Sequence, residues 1–356
     1  MGKSIGNGAN KNPTIDDVAA LSKVGRTTVS RVLNNGPNVR DAVRKRVMDA
    51  VKQLNYRVNV QARSLASGKS RQIALFNASD FDSEPNSYYT SAIEIGALRK
   101  CAELGFQAFS HIVNQNSPSY RNRIIELCEI NNYHGIILTP PFSDDISLIN
   151  ILREKNIHAV GISSGNKARN FIDSVGMDDE LAGYRLTELL IKNGHKGFAF
   201  IKGLENHMSA ELRYEGFKKA LADNDIKLDE NFVFRGNFTF KSGIENSLKI
   251  FENPHRPSAL ICANDDTAAG ALFSAHRLNI RVPEEIVIAG FDDTPVSEIV
   301  WPPLTTVHQP LKKIAARAVE RLVSILQNGN SDSTPKNMII DFDIMVRQST
   351  ASVIEV

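Results

Sequence analysis

Cysteine is scarce in this chain. Cys101, Cys128 and Cys262 are all that 356 residues contain, and each stands alone in an apolar run with no CxxC spacing and no histidine beside it. That pattern argues against a disulfide framework or a zinc site and predicts buried, reduced thiols. Long apolar runs are missing as well. The leader MGKSIGNGANKNP lacks the apolar stretch of a signal peptide, and no run of 18 apolar residues occurs. The expectation is therefore a soluble, cytoplasmic protein without a membrane partner, beginning with a disordered segment over residues 1–13. No Ser/His/Asp or metal-ligand constellation arises by spacing, and His134, His158 and His195 fall in loops or turns. GKS at 68–70 resembles part of a phosphate loop, but the upstream glycine is absent and no strand precedes it. Neither an enzyme nor a cofactor nor a metal is expected.

Acidic residues are nearly absent from the first 72 positions, where 14 Lys or Arg face 4 Asp and no Glu, a net charge of +10. The remainder holds 28 basic and 36 acidic residues, net −8, so the overall +2 hides a strong asymmetry. Such a basic segment points to nucleic acid or an anionic membrane surface. Within it lies VGRTTVSRVLN, residues 24–34. Val29, Val32 and Leu33 fall at i, i+3 and i+4 and form the inward stripe of a short helix. Arg26, Thr27 and Arg31 then face outward, offering donors and cations to a negatively charged partner.

The surrounding residues complete a three-helix set. Thr14 is placed to cap a first helix, Asp16 and Asp17 favour its dipole, and Ile15, Val18, Ala19 and Leu21 supply apolar contacts. NNGPN at 34–38 separates the second helix from a third, in which Val43, Val47, Ala50, Val51 and Leu54 recur at helical spacing. Two short helices around a tight turn, braced by a third, make a helix-turn-helix pattern. RVNVQARSLASGKSR, residues 57–71, is polar and basic with one conspicuous Leu65 and reads as a linker.

From Gln72 the period changes. Short apolar strands, QIALFNAS, QAFSHIV, GIILTP, HAVGIS, GFAFIKG, FVFRGN, ALICAN and VIAGF, alternate with amphipathic helices. This alternation predicts parallel sheet with helices on both faces, and so many strands predict two doubly wound lobes rather than one. Asn77, Ser163, Asn237, Asn264 with Asp265, and Asp292 with Asp293 stand at the strands' carboxyl ends. Ligands bind at that edge of open parallel sheets, so facing lobes would enclose a polar cleft. Capping of the next helix is the alternative role for Asp265.

Taken together, TIDDVAALSKVG, TTVSRVLN, NYRVNVQARSL, GHKGFAFIKG, LRYEGFKKAL, ICANDDTAAGAL, VIAGFDDT, PPLTTVHQP and MVRQST follow one another in an order and spacing that resembles the LacI/GalR family of transcriptional regulators. The resemblance runs from about Thr14 to about Thr350. It implies an α-helical helix-turn-helix DNA-binding domain over residues 14–57, a hinge over 58–71, and a two-lobed α/β periplasmic-binding-protein-like core over 72–356 that binds an effector and dimerises. The implied partners are double-stranded operator DNA, a small effector and a second copy of the chain. By the same resemblance Arg26, Thr27 and Arg31 reach base edges, and Thr28 and Ser30 contact phosphates or bases. Arg and Thr suit that task chemically, since Arg forks onto guanine and Thr offers a hydroxyl and a methyl. Arg31 has the alternative of a phosphate contact. The resemblance further implies that in the hinge Asn59 and Arg63 belong to a short DNA-induced helix and that Leu65 is the wedge that enters the minor groove and kinks the duplex. Three positions depart from the family's pattern: Val58 replaces a proline, Gly25 a serine, and Arg40 a capping serine.

The effector positions implied are Tyr88, Tyr89, Ser163, His207, Ser209, Arg213, Phe238, Asn264 and Asp292. Aromatic faces with Arg, Asn and Asp match a sugar's ring and vicinal hydroxyls. Ser163 stands where an aspartate is frequent. Tyr88 has the alternative of a half-buried residue at a helix start, and Arg213 that of a structural ion pair. Chain crossings between lobes are expected after Asp173 and around Pro302, with Trp301 packing at a hinge. The function expected is a ligand-responsive repressor, most simply of carbohydrate genes with a sugar as inducer. A purine- or nucleoside-responsive repressor is the alternative within the class, and a sugar-binding transport protein the alternative outside it.

Overall fold

A computed structural model of the chain describes residues 13–33, 36–56, 71–79, 87–205, 207–328 and 334–351. The chain divides into two compact units, one before Arg71 and one from Arg71 onward.

The first unit contains α1 (Ile15–Ser22), α2 (Arg26–Leu33) and α3 (Asp41–Gln53). Thr14 opens α1 with a reciprocal cap: its Oγ1 accepts from the Asp17 N–H, and Asp17 Oδ2 accepts from the Thr14 N–H at 2.7 Å. Two otherwise unpaired helix-end donors are thereby satisfied. The helix stops at Lys23, whose φ of 54° lies in the left-handed region. The Gly25 carbonyl then receives the N–H groups of Thr28 and Val29 and starts α2. Val18, Val29, Val32, Val47 and Ala50 form the core of the three helices. Leu21 does not join it and is 41% exposed. It lies one residue off the stripe of Ile15, Val18, Ala19 and Ser22, and Ser22 turns inward instead, its Oγ donating to the Val18 carbonyl at 2.6 Å.

The second unit runs β1 (Gln72–Ser79), α4 (Ser87–Glu103), β2 (Gln107–Asn114), α5 (Tyr120–Asn131), β3 (Gly135–Leu138), α6 (Ile146–Glu154), β4 (Ala159–Ile162), β5 (Asp173–Gly176), α7 (Asp179–Lys192), β6 (Phe198–Lys202), α8 (Met208–Asp223), β7 (Val233–Arg235), α9 (Phe240–Phe251), β8 (Ala259–Cys262), α10 (Asp265–Arg277), β9 (Val287–Asp292), α11 (Val296–Ile299), β10 (Thr305–His308), α12 (Leu311–Asn328), β11 (Asn337–Ile339) and β12 (Asp343–Met345). Two six-stranded sheets result, ordered β11-β5-β4-β3-β1-β2 and β12-β10-β9-β8-β6-β7. All pairings are parallel except that of β12 with β10. The side-chain period of two decides which face each strand residue serves. In β1, Ile73 and Leu75 join the core beneath α4 and α12, while Ala74 and Phe76 join the one beneath α5 and α6. In β9, Val287, Ala289 and Phe291 serve one face and Ile288 the other.

The chain changes lobe three times, at 177–178, 309–310 and 340–342. The first change fits the expectation of a crossing after Asp173, and the third is additional. The return crossing lies beyond β10 rather than around Pro302. Trp301 therefore packs at no hinge and is 81% exposed. The three cysteines are free and buried, which raises each thiol's pKa. Among the described residues no group of His, Cys, Asp and Glu could hold a metal, and no helix is long and apolar enough to cross a membrane.

Candidate functional site

On α2 the buried Val29 and Val32 fix the helix so that Arg26, Thr27 and Arg31 are exposed, with Thr28 and Ser30 half-buried at the flanks. No acidic residue occurs in this helix. Arg26 Nη1 stands 3.7 Å from Asp16 Oδ2, with both side chains 66% exposed. Solvent screening leaves such a pair little energy, so Arg26 can exchange Asp16 for another anion. Arg40 precedes α3 without a side-chain cap bond and is exposed. Asn59, Arg63 and Leu65 lie outside the described residues.

The second unit carries a cavity of about 130 Å³ between its lobes. The first lobe contributes Asn77, Ala78, Ser79, Tyr89, Thr90, Gln115, Thr139 and Pro140; the second contributes Leu204, His207, Arg213, Asn237, Phe238, Asn264 and Asp292, with Gln309 from a crossing segment. The lining residues from β1, β3, β8 and β9 stand at or just beyond the strands' carboxyl ends, where the loops leave the sheets and a ligand can be met by both.

Arg213 is set by close packing of α7 and α8. A Cβ added at Gly183 would collide with the Arg213 carbonyl, and one at Gly216 with that of Glu180. The glycines thus let the helices approach until Arg213 Nε donates to Asp179 Oδ1 at 3.0 Å. Its Nη1 donates to the Ala263 carbonyl at 2.8 Å and stands 3.7 Å from Asp292 Oδ1, while the guanidinium lies 4.0 Å over the Phe291 ring. Asp292 Oδ1 also accepts from Gln309 Nε2 at 2.5 Å. Arg213 and Asp179 are 5% and 2% exposed. Burial raises the Asp179 carboxyl pKa, opposed by the Arg213 guanidinium. Arg213 thus lines the cavity and also makes a buried ion pair.

Asn264 also does two things. Its Oδ1 caps α10 through the Thr267 N–H at 3.1 Å, and its Nδ2 donates to the Phe238 carbonyl at 2.9 Å. Asp265 follows the cap and neither caps nor lines the cavity. Its carboxylate accepts from the Thr294 N–H at 2.7 Å and Thr306 Oγ1 at 2.6 Å, and burial together with Asp292 raises its pKa well above the usual range. His207 meets Phe238 edge-on, with centroids 5.0 Å apart. Burial and the neighbouring guanidinium push its pKa down to about 4, so the ring is neutral at physiological pH, and its Nδ1 is buried with no hydrogen-bond partner among the described residues.

Of the nine expected effector residues, Tyr89, His207, Arg213, Phe238, Asn264 and Asp292 line the cavity, and Tyr88, Ser163 and Ser209 do not. Tyr88 is half-buried at the start of α4 against the first lobe's core, where burial raises its phenol pKa. Ser163, at φ 50°, presents its carbonyl to Ser209 Oγ at 3.4 Å, so this pair joins the lobes instead of facing the cavity. Asn77 and Asn237 were legible as polar strand ends. Gln115, Thr139, Pro140 and Gln309 were not singled out, although each falls one or two residues beyond the end of β2, β3 or β10. The strand-end rule extended past the apolar run would have found them.

Comparison with known proteins follows both units. Residues 14–59 match the family of bacterial regulatory proteins, lacI family, and residues 187–350 match the periplasmic binding protein-like domain. The "Probable HTH-type transcriptional repressor ExuR" of Bacillus subtilis (strain 168) is 31% identical over 94% of this chain and 98% of its own length. Catabolite control protein A of Staphylococcus xylosus is 33% identical over 95% of this chain and 99% of its own. Among solved structures, a transcriptional regulator CelR–cellobiose complex superposes with a TM-score of 0.71 at 27% identity, covering 95% of this chain and 99% of that one. A lac repressor dimer bound to operator and the anti-inducer ONPF gives 0.78 at 26%, covering 96% and 100%.

Proposed function

The chain belongs to the lacI family of bacterial regulatory proteins, and from that premise we propose how its parts divide the work of a ligand-controlled transcriptional repressor. Residues 14–57 are the DNA-binding domain, 58–71 the hinge, and 72–356 the effector-binding and dimerisation domain. The protein regulates and does not catalyse. Arg26, Thr27 and Arg31 read base edges from α2, Thr28 and Ser30 contact phosphates or bases, and Asn59, Arg63 and Leu65 act in the hinge. This assignment is supported by the exposed, acid-free outer side of α2 within a segment of net charge +10.

The effector is a sugar acting as inducer. The observation that carries this reading is the meeting, in one interlobe cavity, of an aromatic face, Phe238, with amides from both lobes and the Arg213–Asp292 pair. Hydroxyl-rich ligands need paired donors and acceptors around an apolar ring face. A regulator solved with cellobiose has the same fold, which supports the reading. The protein acts as a homodimer. Exposed Ile95 and Leu98 of α4, Phe109 and Ile112 of β2, and the Phe240–Phe273 pair of α9 and α10 offer apolar surface for a second copy.

The test begins with selection of an operator from random duplex DNA by the full chain. Melting is then followed against a panel of sugars, nucleobases and nucleosides. A ligand at one hundred times its Kd stabilises the folded state by about 2.7 kcal/mol. A sugar that raises the melting temperature and weakens operator binding is the expected result. A nucleobase that does so in place of every sugar refutes the sugar reading, and failure to enrich any DNA refutes the repressor reading.

A further inference from the structure

We propose that the cavity is built for an uncharged sugar and rejects sugar acids and sugar phosphates; the inference rests on the sugar reading above. Arg213 is the one Arg or Lys among the described residues lining the cavity. It is already committed to carboxylates on two sides, Asp179 at 3.0 Å and Asp292 at 3.7 Å, and to the Ala263 carbonyl. A guanidinium already flanked by two carboxyl groups has little positive charge left to offer an anionic ligand. Asp265 adds a third buried carboxyl behind Asp292, tied to Thr294 and Thr306 rather than to a cation. His207, the one histidine among the described lining residues, is held neutral by burial and by Arg213 itself.

The remaining polar lining joins five amides, Asn77, Asn237, Asn264, Gln115 and Gln309, to the hydroxyls of Ser79, Tyr89, Thr90 and Thr139. Amides and hydroxyls are neutral groups whose remaining N–H and lone-pair sites complement ligand hydroxyls that both donate and accept. A carboxylate or phosphate accepts only, and would sit beside Asp292 with no uncommitted Arg or Lys among the described lining residues to neutralise it. Burying an unpaired charge costs more than any hydroxyl contact returns, and like-charge opposition is how a site discriminates against a close analogue.

The experiment titrates the full-length protein calorimetrically with matched sets: glucose, glucuronate and glucose 6-phosphate; galactose and galacturonate; xylose, cellobiose and maltose; with hypoxanthine and adenosine as a separate arm. The expected result is binding by at least one neutral sugar, with any acid or phosphate counterpart at least tenfold weaker. Asp292→Asn should narrow that ratio by weakening the neutral sugar and relieving repulsion of the acid. An acid or phosphate that binds more tightly than its neutral counterpart overturns this inference while leaving the sugar reading intact. Binding confined to hypoxanthine or adenosine overturns the sugar reading beneath it, and no binding by any neutral sugar overturns the inference as well.

Discussion

Replacing Arg213 by Met removes the charge while keeping a long side chain over the Phe291 ring. What remains is Asp179, 2% exposed and bonded to Arg213 in the native protein, together with Asp292 at 3% exposure. Taking one partner from a buried ion pair costs about 3–5 kcal/mol, because the other charge is left desolvated. At about 2–4 °C per kcal/mol for a domain of this size class, the melting temperature should fall by roughly 10 °C at neutral pH. The pH dependence carries the sharper signature. Burial already holds the Asp179 pKa above its ordinary value, so between the unfolded and the folded pKa the folded state keeps a proton that the unfolded state has lost. Stability therefore falls as pH rises through the folded pKa and is recovered on acidification. Without the guanidinium that opposes this shift, the folded pKa rises further and the window widens. The deficit of Arg213→Met relative to wild type should thus be largest at neutral pH and shrink in acid. Adding Asp179→Asn removes the stranded charge and should restore at least half of the lost stability. The assay is differential scanning calorimetry of wild type, single and double variants between pH 5 and 8. A single variant within about 1 kcal/mol of wild type, or a double variant no more stable than the single, would refute the account of Arg213 as a buried counter-ion.

Two further predictions concern DNA. Arg31→Ala should relax base preference at one position per half-site at a cost of roughly 1–3 kcal/mol, whereas wild-type affinity should fall with salt at about −0.9 in log–log slope for each phosphate neutralised. Equal weakening on every sequence in a competition binding assay would make Arg31 a phosphate clamp. Leu65→Ala should reduce operator bending in a circular-permutation gel while leaving sugar binding intact, and unchanged bending would remove the wedge from the mechanism.

How far the sequence speaks depends on how local the cause is. The capping box at Thr14, the inward Val29 and Val32, and the eight apolar strand segments are set by neighbours within a few residues, and periodicity reveals them. The four strands that composition did not suggest, β5, β10, β11 and β12, are three or four residues long and read DSVG, TTVH, NMI and DIM. Their strand character comes from partners far along the chain. Asp173 can begin a buried strand because Arg321 Nε and the Lys336 N–H both donate to it at 2.6 Å. The cavity shows the same division. The chemistry of Arg213 and Asp292 was legible, but the placement of Ser163 and Ser209 against each other, outside the cavity, depends on how the two lobes meet.

That meeting suggests how ligand and operator communicate. Beside the Ser209–Ser163 contact, Gly165 of the first lobe lies against Met208 at the start of α8 in the second. A Cβ at Gly165 would stand 2.7 Å from Met208 Cβ and 2.8 Å from its Cγ, so a larger residue must turn Met208 aside or separate the lobes. Overpacking of this kind costs typically 1–3 kcal/mol. A ligand that touches both lobes shifts their angle only by the difference in its affinity for the two arrangements. A wedge that penalises the closer arrangement by that much must be offset by ligand. Gly165→Val should therefore raise the sugar concentration needed for half-maximal operator release by about fivefold to 140-fold, since 1.4 kcal/mol corresponds to tenfold. If the wedge burdens only the arrangement that ligand favours, operator affinity without sugar should stay within a factor of two. Fluorescence anisotropy of labelled operator, titrated with the sugar that stabilises wild type, reads both quantities. If the variant releases operator at the same sugar concentration as wild type, the approach of Gly165 to Met208 is no part of the ligand-favoured state, and the lobes signal by another contact.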